Sequence, residues 1–121
     1  MNKTIQLEIT GYFSSDVNDL ENWCPANDDD IFFPLEIYIG ERGSVKSDLF
    51  TILICSPASL KKHNVHLRPG RHMLIVIRYD WKEIRQKIKD LVFSCQATSW
   101  NQATIFLGRY FRWEYEDYSE S

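Results

Sequence analysis

The sequence predicts an α+β domain, a largely antiparallel sheet of about five strands packed on one face by two amphipathic helices. Three observations carry that expectation. Short runs of alternating apolar residues occupy the first half of the chain, two stripes with helical spacing occupy residues 81–111, and the two kinds of segment follow an irregular order. A doubly wound parallel sheet needs strict strand–helix alternation, which this chain lacks.

Ile5, Leu7 and Ile9 alternate with polar residues, which puts three apolar side chains on one face of a first strand. From Tyr12 to Asp30 the chain is rich in Asp, Asn and Ser. Val17, Leu20 and Trp23 keep helix-like spacing there for about one turn, so a long loop holding at most a short helix is expected. Phe33, Leu35, Ile37 and Ile39 alternate again, Gly40 and Gly43 mark a turn, and Leu49 to Cys55 resume a strand, which together make a hairpin. Ser56 before Pro57 reads as an N-cap with proline at the first helical position, so Ala58 to His63 is predicted helical.

Pro69 and Gly70 then turn the chain into the dense apolar run His72 to Tyr79, expected to be a central strand. Asp80 with Glu83 three residues later is a capping-box variant that opens a helix. Trp81, Ile84, Ile88, Leu91, Val92 and Cys95 then fall on an arc of roughly 100°, and Phe93 stands off it. Ser99 with Gln102 signals another cap, followed by a stripe of Trp100, Ala103, Phe106, Leu107, Tyr110 and Phe111. Gly108 interrupts that stripe at about 1 kcal/mol relative to alanine, so the helix should fray there. Trp113 and Tyr115 alternate with Glu114 and Glu116 as a last short strand before a frayed acidic tail, 117–121.

The 121 residues, 44% apolar and 26% charged with 5 Gly and 4 Pro, fit a single domain over 1–121 and exclude disordered, collagen-like and repeat chains. A chain this long buries roughly 60–70% of the surface its unfolded form exposes, so no metal or disulfide staple is required. The longest apolar run, Met73 to Ile77, is far short of a membrane span, and the opening residues alternate instead of forming a signal-peptide block, so a cytosolic location is expected. Cys24, Cys55 and Cys95 are widely spaced and odd in number, which reads as reduced, mostly buried thiols.

Charge is strongly segregated. Thr4 to Glu41 carries nine acidic and no basic residues, Arg42 to Arg112 carries 13 basic against four acidic residues, and the tail adds four acids, for a net charge of −3. Two readings stand side by side. The acidic segments are solvated faces, or the acidic loop 14–31 and the acidic tail converge into a patch that steers a positively charged partner. Trp23, between Asn22 and Cys24 in that loop, is likewise either a lid on the core or an aromatic interface anchor.

Other motifs carry little chemistry. His63 and His66 form H-x-x-H with His72 nearby, but this basic segment has no neighbouring Asp, Glu or Cys to complete a tetrahedron, so no metal is expected. Asp28 to Asp30 lack the alternation and later bidentate Glu of a calcium loop. Gly40-Glu41-Arg42-Gly43 has the spacing of a backbone-clamping G-x-x-G, yet strands and not helices flank it, so it reads as a hairpin turn. No nucleophile elbow, H-E-x-x-H, phosphate loop or dinucleotide fingerprint is present, so no catalytic residue and no cofactor is assigned. The competing functions are a small hydrolase using His66, His72 and an acid, or an RNA-binding module using Lys61, Lys62, Arg68 and Arg71, which a pI near 5.6 disfavours.

Taken in order, Leu20 to Asp30 (LENWCPANDDD), Ile39 to Gly43 (IGERG), Asp48 to Phe50 (DLF), Cys55 to Pro57 (CSP), Gly70 to Val76 (GRHMLIV), Tyr79 to Trp81 (YDW), Trp100, and Trp113 to Tyr118 (WEYEDY) give the chain a family likeness. The sequence resembles the Imm8 family of bacterial immunity proteins from about Asp16 to Tyr118, departing from its pattern at Cys24 and Ala58. The resemblance implies a cytosolic, non-enzymatic inhibitor encoded beside a polymorphic toxin, as in contact-dependent growth inhibition, and binding the cognate toxin C-terminal domain, often a nuclease. A basic, phosphate-gripping cleft on such a toxin would be complemented by an acidic, aromatic surface. On that basis toxin contact is expected from Asp16, Asp19, Glu21, Trp23, Asp28, Asp29 and Asp30, with Glu114, Glu116, Asp117 and Tyr118 as a second group. The expected complex is one-to-one, with no direct nucleic-acid or membrane contact; dimer formation is left open.

Overall fold

A computed structural model describes residues 3–63 and 72–115 and gives a mixed five-stranded sheet with three helices. The order is β1 (Leu7–Phe13), β2 (Phe32–Glu41), β3 (Ser47–Cys55), α1 (Pro57–Lys62), β4 (Met73–Ile75), α2 (Trp81–Phe93), α3 (Trp100–Leu107) and β5 (Arg112–Trp113). β1, β2 and β3 pair antiparallel in sequence, and the far side of β3 is shared end to end by two short strands. β4 runs parallel to it at Leu53 to Cys55, and β5 antiparallel at Phe50 and Thr51. The predicted α+β class and single helix-covered face hold, and the sheet is open.

Alternation in β2 and β3 does the layering. Phe33, Leu35, Ile37 and Ile39 face the helices opposite Ile54, Ile52, Phe50 and the end of β3, and all seven are buried. In β1 the same face is kept by a bulge between Ile9 and Gly11, after which Tyr12 lies opposite Ile37 on the core side. The first strand is therefore longer than Ile5 to Ile9, and the loop that follows it contains a turn at 20–22 and no helix.

α2 starts where Asp80 accepts from the backbone N–H of Lys82 and Glu83, at 3.1 and 3.3 Å, and it buries Trp81, Ile84, Ile88 and Val92 against the sheet. Phe93 points away from the core and is exposed, as its offset from the apolar arc requires. Ser99 caps α3 through Gln102 N–H at 3.1 Å, and the helix stops at Leu107 with Gly108 as C-cap, where fraying was expected. Phe111 is beyond the helix but fully buried. No helix of the described residues is long and apolar enough to cross a membrane.

The run His72 to Tyr79 is not a central strand. Only Met73 to Ile75 pair, at a sheet edge, and Ile75 and Ile77 are 51% and 76% exposed. Chain length explains the difference: Tyr79 and Asp80 are committed to the start of α2 and to the acidic loop, which leaves few residues to run beside β3, and β5 takes the rest of that flank. Apolar density marks a strand but not its neighbours.

Candidate interaction surface

Loop 14–31 is fixed to the domain at several points. Ser14 and Val17 are buried, and the Ser14 hydroxyl accepts from Asp16 N–H at 3.2 Å. The carboxylate of Asp19 accepts from both Asn22 N–H and Asn22 Nδ2, at 3.2 and 2.9 Å, closing the turn at 20–22. These bonds from Asn22 hold the Asp19 carboxyl below its ordinary range. The hydroxyl of Tyr79 donates to the carbonyl of Leu20. Burial, reinforced by the negative charge of Asp19, pushes that phenol up to about 12.

Trp23 sits edge-on to Phe33 and Tyr79, with ring centroids 5.4 and 4.7 Å away, so its ring is a half-buried lid on the core. Further along, Asn27 Oδ1 accepts from Asp29 N–H at 2.8 Å and its carbonyl accepts from Asp30 N–H at 3.0 Å. The loop ends at Ile31, whose carbonyl accepts from Ser56 N–H and from the buried Ser59 hydroxyl at 2.8 and 2.6 Å. Asp30 pairs with Lys62 of α1 at 3.1 Å, an exposed bridge worth about 0–1 kcal/mol.

The result is a loop with an ordered base and an ionised outer surface. Asp16, Asp19, Glu21, Asp28, Asp29 and Asp30 are all exposed, and among them only Asp30 forms an ion pair with a described residue. Asn22, Asn27, Ser59 and Tyr79 are the positioning residues that the sequence reading passed over. The spacings Asp19–Asn22 and Asn27–Asp29 are Asx-turn signals that could have exposed two of them. Cys24 is exposed in the same loop.

The second acidic group lies elsewhere. Glu114 accepts Leu49 N–H at 2.6 Å, and its own N–H donates to the Leu49 carbonyl, while the neighbouring Trp113 indole donates to Asp48 at 2.9 Å. Leu49 is six residues from Cys55 along β3, about 20 Å at the usual rise, and Cys55 pairs with Phe32 beside the acidic loop. Glu114 thus buttresses the far end of the sheet and does not join Asp28 to Asp30. Glu116, Asp117 and Tyr118 lie outside the described residues, as do His66, Arg68 and Arg71.

Of the histidines, His63 stacks on Phe32 at 3.9 Å, and His72 gives its carbonyl to Leu53 N–H at the start of β4. Among the described residues no three His, Cys, Asp or Glu side chains are placed to hold a metal ion. Burial pushes the Cys55 thiol up to about 11 and also raises Cys95, so both are protonated at neutral pH and poor nucleophiles. Gly40 to Gly43 lie in the β2–β3 hairpin, as the turn reading required.

Residues 7–118, which take in every described strand and helix, match a family model, and the class it defines is the immunity proteins. The family is Immunity protein 8, or Imm8, and the chain belongs to it. Membership implies binding of a cognate toxin. No curated protein and no solved structure matches the chain.

Proposed function

We propose that this protein neutralises its cognate toxin domain by setting the acidic loop 14–31 against a basic surface of that domain, in the cytosol and as a one-to-one complex. The observation that carries the reading is the loop itself: six exposed carboxylates on a base pinned to the core by Val17, Trp23 and the Tyr79–Leu20 hydrogen bond. A surface already ordered before binding loses little conformational freedom on association. Its clustered negative charge speeds encounter with a basic partner.

A nuclease fits this chemistry best, because a cleft that grips phosphates is basic and is blocked by carboxylates that occupy the same positions. Asp28, Asp29, Asp30 and Glu21 supply the charge, Asp16 and Asp19 extend it, and the exposed part of Trp23 supplies apolar contact. Glu114, with Glu116, Asp117 and Tyr118 beside it in sequence, is a second group proposed for contact. The protein acts by occupying the toxin and performs no chemistry of its own.

The test begins with affinity purification of the tagged protein from its native bacterium, which should recover the toxin domain in equal amount. Replacing Asp28, Asp29 and Asp30 together by lysine should then weaken the complex by at least about tenfold at low salt and flatten its salt dependence. Unchanged affinity and unchanged salt dependence would make the triplet a solvated loop and remove the reading.

A further inference from the structure

The sheet has two edges, and one of them is blunted. β1 carries the bulge between Ile9 and Gly11, and the Ile5 N–H already donates to the Ala97 carbonyl at 2.8 Å. Bulges and covering segments are the usual protection of an edge strand. β4 ends the strand order on the other side, and its three residues Met73, Leu74 and Ile75 include no bulge and no charge. Among the described residues, no backbone group pairs with its outer side.

The β3–β4 ladder fixes which groups are left over. Leu53 N–H donates to the His72 carbonyl at 3.1 Å and Val76 N–H to the Cys55 carbonyl at 2.8 Å, so His72, Leu74 and Val76 bond toward β3. In a parallel pair the alternate residues turn both backbone groups the other way, so the N–H and C=O of Met73 and Ile75 face outward. Leu74, opposite buried Ile54, packs on the core, and Met73 and Ile75 lie on the opposite face of the sheet. A groove of about 570 Å³ follows this edge, between Leu74 to Arg78 on one side and Glu83, Ile84 and Lys87 of α2 on the other. Arg78 and Glu83 neutralise each other at 3.1 Å, which leaves Lys87 as the one rim charge without an ion pair among the described residues. Such a groove suits an apolar, uncharged strand with free edge groups of its own. Met73-Leu74-Ile75 is that kind of strand, and every copy of the chain carries it.

We propose that two copies of this chain join β4 to β4, antiparallel about a twofold axis at Leu74, into one sheet that runs through both. Met73 and Ile75 of each copy then exchange N–H···O=C bonds with Ile75 and Met73 of the other, and the two Leu74 side chains meet beside the groove. A seam this short makes a weak dimer that forms only at high concentration. It uses no residue of loop 14–31, so it goes beyond the toxin contact proposed above and is tested without the toxin.

The experiment is sedimentation equilibrium of the full chain from about 20 µM to about 1 mM, where the mass should climb from that of the monomer toward double. Over the same range, hydrogen exchange at the Ile75 amide should slow at least about threefold, and that at the Leu7 amide on the other edge should not change. Ile75→Lys and Ile75→Glu, at an exposed position, should each stay monomeric, and an equal mixture of the two should dimerise again, because the twofold axis sets the substituted side chains diagonally across the seam. Recovery in the mixture also shows that both variants fold. A monomer mass at about 1 mM, a dimer that persists in Ile75→Lys, or a mixture that stays monomeric would each overturn the proposal. An Ile75 amide already protected in the dilute monomer would put another part of the same chain on this edge and overturn it as well. Loss of toxin co-purification in Ile75→Lys, beside an unsubstituted chain that stays monomeric, would give the edge to the toxin instead.

Discussion

Tyr12 carries the one side-chain polar atom that is buried without a hydrogen-bond partner among the described residues. Its ring is packed at right angles to Trp81, 5.2 Å away, and burial raises its pKa. An orphaned buried hydroxyl costs on the order of 1–3 kcal/mol. Tyr12→Phe keeps the ring contact and removes that cost, so the urea midpoint should rise by about 1 kcal/mol equivalent with an unchanged slope; a fall would mean that the hydroxyl has a partner in solution. Individual roles were the least legible part of the sequence. Asp19 and Glu114 read alike as acidic surface residues, yet one holds a turn through Asn22 and the other receives a backbone N–H across 65 positions. A carboxylate's role depends on which donors the fold brings to it, and sequence spacing shows only local ones. Trp23 was legible in one of its two readings: the ring is a half-buried lid on the core.

The elements were legible wherever a local rule set them. Asp80, Ser99 and the Ser56–Pro57 pair start helices because caps act within a few residues, and β2 and β3 are plain because a period of two buries one face. The β2–β3 hairpin also shows why its two glycines stand where they do. A Cβ on Gly40 would lie 2.4 Å from the Lys46 carbonyl oxygen, and Gly43 has φ +90°, in the left-handed region. Gly40→Ala should therefore cost about 1–3 kcal/mol in chemical denaturation, as overpacking does, and Gly43→Ala about 1 kcal/mol through backbone strain alone. A neutral Gly40→Ala would show that the hairpin shifts without penalty. β4 was misjudged because strand position is a property of pairing. Five apolar neighbours in sequence, Met73 to Ile77, do not say that β3 is shared by two short strands.

At the scale of the molecule, charge is sorted by element. Of the nine acids between Thr4 and Glu41, six lie in the one loop between β1 and β2 and three, Glu8, Glu36 and Glu41, lie in those strands. The interior sets a separate pH response. Burial moves Cys55 from an ordinary value of 9.0 to about 11 and, with Asp19, Tyr79 from 10.0 to about 12. Both groups are neutral when protonated, and the folded state holds those protons more tightly than the unfolded chain does. Their contribution is complete below about pH 9 and is lost as pH rises through 11 to 12. Urea midpoints should thus stay level from pH 7 to about 9 and then fall, with Cys55→Ala delaying the onset toward pH 10; a level profile to pH 11 would count against the buried thiol and phenol. The divided flank of β3 also governs timing. Thr51 and Arg112 pair across 61 positions, and at translation speeds of about 5–20 residues per second their meeting lags the synthesis of β3 by about 3 to 12 seconds. Phe50 lacks the stacked indole of Trp113 until then. A newly made molecule consequently cannot close this flank of its sheet until residues 112–113 have been made, seconds after the strand that they cover.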